Sequence, residues 1–179
     1  SKDLSVDSHR YAAKLQIAYE NFCQKFGYDG FSANFNVYSE DDRIKQLPIL
    51  GASNMLAKGY GYSAEGDIHI LICTLIGHLI SINPHFTEMY SLDYIRDAAM
   101  LSHMGEGNWK TARKDRPIKL IERPLDIGDR DNPPTPVFSC EPGEATIISL
   151  VAIKGDKYRL VVSIGEVLDE LEIPGMLMN

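Results

Sequence analysis

Two glutamates and one histidine have the types needed for a mixed oxygen and nitrogen site around a divalent cation. Glu65 lies in Tyr60-Gly61-Tyr62-Ser63-Ala64-Glu65-Gly66-Asp67, Glu88 in Phe86-Thr87-Glu88-Met89, and His103 in Leu101-Ser102-His103-Met104-Gly105-Glu106-Gly107. Each falls at a junction between expected elements. Carboxylates with imidazole suit Mn²⁺ or a similar ion, and the chain has no cysteine pair to suggest structural zinc. The separations are long, so only the fold can bring the three together.

Each residue also has a plainer role open to it. In the first turn of a helix, Glu65 is stabilised by the helix dipole without any ligand, and the same holds for Asp67. Strand alternation puts Phe86, Glu88 and Tyr90 on one face. A carboxylate there must be paired, protonated or metal-bound, unless the strand is an edge and Glu88 meets solvent. His103 ends a strand whose alternate residues, Ala99 and Leu101, are apolar, the ordinary setting of a hydrogen-bonded core histidine. Glu106, between two glycines, is expected in an exposed turn. His85 is expected to face away from Glu88, His69 and His78 to lie on a buried helix, and His9 to be exposed. No GxSxG elbow, P-loop or dinucleotide glycine fingerprint is present.

The elements that must position these groups fall into two halves. Tyr11, Leu15, Ala18, Tyr19, Phe22 and Phe26 recur at helical steps behind a cap at Asp7 or Ser8, and Gly27 suits a left-handed exit. Residues 30–35 read as a strand and 39–45 as a polar loop. Pro48 fits the first turn of a helix to about Ala57, closed by Gly59. Tyr60 to Ser63 reads as a turn, with Ser63 capping the apolar segment 68–82. That segment has 15 residues, against about 20 for a membrane span, so a buried core helix is expected.

From His85 onward the period changes to two. Strands are expected at 86–90, 98–103, 118–122, 137–140, 146–153 and 158–164, with turns at 131–134, 141–143 and 154–156, the last closing a hairpin. The fold class is therefore α/β followed by β-rich: the tail of a Rossmann-like α/β layer joined to an antiparallel β-sheet or barrel. The boundary falls near Asn83-Pro84. Residues 1–83 form the C-terminal part of an α/β central domain, and 84–179 a β-rich C-terminal domain that is itself incomplete.

Composition agrees with a soluble globular chain, at 44% apolar and 24% charged residues. The net charge of −7 argues against nucleic acid as a partner. The densest basic run, Lys110, Arg113, Lys114, Arg116 and Lys119, is broken by Asp115 and reads as a solvated loop. Three scattered cysteines, Cys23, Cys73 and Cys140, read as reduced thiols of a cytoplasmic protein. Ser1-Lys2-Asp3 carries no basic and apolar leader, and no segment calls for a membrane.

The stretches resemble the L-arabinose isomerase family. The likeness runs in order through Leu47-Pro48, Met55-Leu56-Ala57, Gly59-Tyr60-Gly61-Tyr62, Glu65-Gly66-Asp67, Phe86-Thr87-Glu88-Met89 and Ser102-His103-Met104 with Glu106. It also takes in the strand from Phe31 to Phe35 and the β-rich half.

The resemblance implies an aldose–ketose isomerase that uses Mn²⁺ and passes through an enediol. Glu65, Glu88 and His103 then take the positions of three metal ligands, the two glutamates double as the acid/base pair, and Phe35 and Met104 border the sugar. It further implies a homo-oligomer in which a neighbouring subunit completes the site. Better-known members continue Glu-Gly-Asp with Trp-Lys-Thr where this chain has Ile68-His69-Ile70, so the sugar is left open. The family uses a second, downstream histidine, yet no histidine follows His103 before Pro174-Gly175-Met176. The chain is thus expected to be a piece of a longer enzyme, inactive alone. The alternative is a non-catalytic sugar-binding or regulatory protein of the same fold.

Overall fold

The computed structural model describes residues 4–80, 83–125, 127 and 129–169. Ser1 to Asp3 and Pro174 to Met176, which bear on the chain ends, lie outside them.

Helix α1 (Val6–Phe26) starts two or three residues earlier than a cap at Asp7 or Ser8 implied. Ser5 is its cap, its side chain accepting from the Ser8 amide, while Asp7 pairs with Arg10 in the first turn. Gly27 closes it at φ 68°. Strand β1 (Gly30–Ala33) stops short of Phe35, because the Asn34 side chain accepts from the Asn36 amide and opens a brief helix, α2 (Phe35–Ser39). Helix α3 (Ile49–Lys58) follows, with Pro48 at its cap position and Gly59 at φ 106°.

Residues read as a turn before the apolar segment are in fact a second strand, β2 (Gly61–Ala64), paired in parallel with β1 from Gly30↔Gly61 to Ala33↔Ala64. The pairing begins where two glycines meet. A Cβ on Gly30 would stand 2.8 Å from the Gly61 Cα, so a side chain would part the backbones there. The amide of Tyr62 donates to Thr74 Oγ1 at 2.9 Å, which ties the next helix to β2.

That helix, α4 (Ile68–Leu79), is capped by Asp67, which accepts from the amides of His69 and Ile70. Ser63 does not cap it; its buried hydroxyl donates to the Asp67 carbonyl at 2.5 Å. The helix is apolar but not a buried core helix. Cys73, Thr74 and Gly77 face inward, whereas Ile68, Ile72 and Leu79 are exposed. Among the described residues no helix is long and apolar enough to cross a membrane.

The second half is built of antiparallel pairs: β3 (Glu88–Asp93) with β4 (Ala98–Ser102), β5 (Lys119–Glu122) with β6 (Pro134–Val137), and β7 (Gly143–Lys154) with β8 (Lys157–Val167). Among the described residues these remain separate two-stranded sheets and no barrel closes. Strand β6 occupies part of the expected turn at 131–134. Its prolines, 134 and 136, are tolerated because β5 is its one strand partner among the described residues and the other edge needs no donor. Gly155, at φ 58°, and Asp156 form the expected hairpin turn between β7 and β8.

One hydrophobic core draws on both halves. Ala33, Phe35, Leu47, Ile49, Ala52, Leu56, Tyr62 and Ala64 pack with Phe86 and Leu125, and Met104 lies against them. The β7–β8 ribbon, by contrast, keeps Ile147, Val151, Ile153, Val161, Val162 and Ile164 exposed. The ring of Tyr158 meets His69 of α4 at 5.4 Å between centroids.

Candidate active site

Parallel β2 and antiparallel β3 and β4 carry the residues singled out for chemistry. Glu65 does not sit in the first turn of α4. It follows the carboxyl end of β2 in a left-handed conformation, φ 59°, with Gly66 at φ 85° beside it, and is exposed. The carboxyl ends of parallel strands are where α/β layers commonly bind ligands.

Glu88 opens β3 opposite Ser102 on β4, which brings it to the neighbouring His103. Glu88 Oε1 lies 3.9 Å from His103 Nε2, with the Glu88 side chain 48% and the His103 side chain 4% exposed. A register shift between Met89 and Ser91 takes Tyr90 out of the ladder. The simple alternation therefore fails: Phe86 is buried ahead of the strand while Glu88 and Tyr90 are exposed.

His103 is held on two sides. The Phe86 ring meets it edge-on at 4.6 Å between centroids, and Nδ1 is 2.6 Å from Glu106 Oε2. Burial disfavours the imidazolium, but the hydrogen bond to Glu106 and the charges of Glu106, Glu88 and Glu65 outweigh it, so its pKa is raised. Glu106 is not an exposed turn residue. It is 0% exposed, and Tyr62 Oη donates to its Oε1 at 3.2 Å. Burial, and next the charge of Glu106, hold the fully buried Tyr62 phenol well above its usual range. The flanking glycines masked this residue; its spacing of three from His103 was the available signal.

The other candidates occupy definite places. His85 is hydrogen-bonded through Nδ1 to Thr111 Oγ1 at 2.9 Å and meets the Phe138 ring edge-on. Burial pushes its pKa down to about 4, the charge of His103 adding to the effect against a bond to the Asn108 backbone. His69 and His78 are half-buried on α4. Phe35 is 4% exposed in the core with Tyr62 and Phe86, and Met104 packs against that core.

Fit to a divalent ion depends on how many donors converge. Among the described residues, no three His, Cys, Asp or Glu side chains close around one point. Two donors do converge, since Glu106 occupies Nδ1 of His103 and leaves Nε2 turned to Glu88. A neutral imidazole nitrogen and a carboxylate oxygen suit Mn²⁺ chemically. Glu65, on its exposed turn, is the residue that would have to join them.

Residues 83–178 match the family model of the L-arabinose isomerase C-terminal domain, and residues 1–81 match that of the L-arabinose isomerase central domain. The chain is 29% identical over 175 residues to the L-arabinose isomerase of Shigella boydii serotype 18, covering 94% of this chain and 33% of the relative. It is 31% identical over 161 residues to L-arabinose isomerase 2 of Bacillus licheniformis, covering 87% of this chain and 32% of that protein. The same identity over 155 residues is found with L-arabinose isomerase 2 of Clostridium acetobutylicum, covering 84% and 30%. The chain spans about a third of the length of these relatives.

Proposed function

The chain belongs to the L-arabinose isomerase family, and from that premise we propose that it carries part of a metal-dependent aldose–ketose isomerase site. The observation that carries the reading is the disposition of His103, whose Nε2 faces Glu88 at 3.9 Å while Nδ1 is committed elsewhere. Glu65, Glu88 and His103 would hold the ion, Mn²⁺ by the hardness of this donor set. When bound, the ion supplies a positive charge beside the sugar oxygens that become electron-rich as the reaction proceeds.

Isomerisation removes the proton at C2 of the aldose and returns one at C1, passing through an enediol. Glu65 and Glu88 are the groups for this shuttle: one takes the C2 proton as general base, and the other donates as general acid. Both are exposed in this chain and so open to a sugar. Phe35 and Met104 belong to the same core as Phe86, whose ring meets His103, and would shape the apolar side of the sugar pocket.

Because the chain spans about a third of its relatives, the complete activity is assigned to a longer protein, acting as a homo-oligomer whose neighbouring subunit completes the site. The 179 residues alone are then expected to bind Mn²⁺ weakly and to turn over no sugar. Three free cysteines support a cytoplasmic location.

The test is ketose formation from a panel of aldopentoses and aldohexoses, with Mn²⁺, by the protein as the cell makes it. Turnover with at least one sugar is expected. No ketose from any of them, with sugar binding retained in Glu65→Gln and Glu88→Gln, would replace this reading with a non-catalytic sugar-binding protein.

A further inference from the structure

We infer that Glu106 is the positioning residue of this site: clamped between Tyr62 and His103, it selects the imidazole tautomer that presents a bare Nε2 to Glu88. What Nε2 is for rests on the function proposed above; the clamp itself rests on geometry.

A carboxylate with 0% exposure needs partners for both oxygens. Glu106 has them: Oε2 lies 2.6 Å from His103 Nδ1 and Oε1 accepts from Tyr62 Oη at 3.2 Å. The proton shuttle assigned to Glu65 and Glu88 makes no use of it.

The chain on either side of Glu106 is pinned. Gly105 is at φ 114°, and a Cβ there would collide with Thr135 and approach Ile49 Cγ2 to 3.0 Å. The Gly107 carbonyl accepts from the Ser53 hydroxyl at 2.5 Å in a buried setting. With its neighbours fixed against α3 and β6, residue 106 points inward and has little freedom to leave.

A neutral imidazole carries its proton on either nitrogen, and the acceptor it meets decides which. Glu106 accepts, so the proton belongs on Nδ1 and the lone pair on Nε2. Carboxylates placed in this way behind a metal-binding histidine commonly change metal affinity tenfold or more. Tyr62, anchored on β2, fixes the Glu106 oxygen that His103 does not use. The strand that ends just before Glu65 is thereby tied to the histidine on the other half of the chain.

The test uses the chain labelled with ¹⁵N at histidine, at a pH where His103 is neutral. The wild type is expected to show the proton on Nδ1 and a bare Nε2. Glu106→Gln retains an amide oxygen as acceptor and should keep that signature, whereas Glu106→Ala should show a mixture of tautomers. A wild-type proton on Nε2 overturns the inference, and so does an unchanged single tautomer in Glu106→Ala with native circular dichroism. If Glu106→Ala does not fold, the wild-type spectrum decides alone.

Mn²⁺ titration of the same samples, followed by broadening of the His103 signals, separates the two readings. Affinity about tenfold weaker in Glu106→Ala than in wild type, with most of it restored in Glu106→Gln, supports the positioning role; equal affinity in all three overturns it. If Mn²⁺ leaves wild-type His103 untouched, the metal site fails as a reading while the tautomer result still decides the role of Glu106.

Discussion

Gly107 runs so close beneath His85 that a methyl group on its Cα would lie 2.7 Å from the imidazole Nε2 and collide with Cε1. His85 cannot simply move aside, because Nδ1 is bonded to Thr111 Oγ1 and its ring meets Phe138. Gly107→Ala is therefore expected to cost about 1–3 kcal/mol through overpacking. The urea midpoint measures this, and a wild-type midpoint would show that the loop yields more easily than its contacts indicate.

His85 also sets a pH dependence. Burial lowers its pKa from 6.5 to about 4, so between those values the unfolded chain takes up a proton that the folded chain does not. Stability therefore falls as pH drops from 6.5 towards 4, by about 3 kcal/mol from this group. The unfolding free energy across that window checks it. His85→Asn should flatten the slope, and an equal slope in the variant would assign the acid sensitivity to other groups.

If the proposed isomerase function holds, Glu65→Gln and Glu88→Gln in the full-length protein should each lower kcat by about 10²–10⁴, the range ascribed to a positioned acid or base. Both variants keep the side-chain volume, and both side chains are exposed, so the melting temperature should hardly move. Initial rates beside melting curves distinguish this from misfolding; kcat within twofold of wild type would remove either residue from the shuttle.

The apolar ribbon of β7 and β8 makes a prediction about assembly. Val151 and Val161 are both exposed on it and, by register, point to the same face of the hairpin. Val151→Lys with Val161→Lys should shift sedimentation towards smaller species if copies of the protein meet there, without loss of hairpin circular dichroism. An unchanged sedimentation profile would exclude that face from the subunit contact.

Much of the fold was readable from local patterns. Helical spacing and the left-handed glycines at 27 and 59 fixed α1 and α3 to within two or three residues, and Lys154-Gly155-Asp156 located the hairpin. The misreadings share a cause. Gly61 to Ala64 is too short to show a period, and its strand character comes from a parallel partner 31 positions earlier, Gly30↔Gly61. Helix α4 is apolar, so local composition implied burial, yet exposure depends on what else packs beside it.

The site divides in the same way. The residue types at 65, 88 and 103 were visible, and so was their order. That Glu88 and His103 meet follows from the β3–β4 register. Glu106 was read as exposed because two glycines flank it; its burial depends on Tyr62, 44 residues away, and on the close packing of Ile49 and Thr135 against the neighbouring Gly105.

Glu65 holds φ at 59°, a region that asparagine or glycine occupies at less cost, the difference being on the order of 1 kcal/mol. Folding alone would thus favour replacing it. A descendant gene released from the need for a carboxylate here should lose it early in neutral drift, acquiring Asn or Gly with a small gain in stability. On the proposed function, the identity of this backbone-strained position is consequently a compact indicator, within such lineages, of whether selection still acts on chemistry or only on the fold.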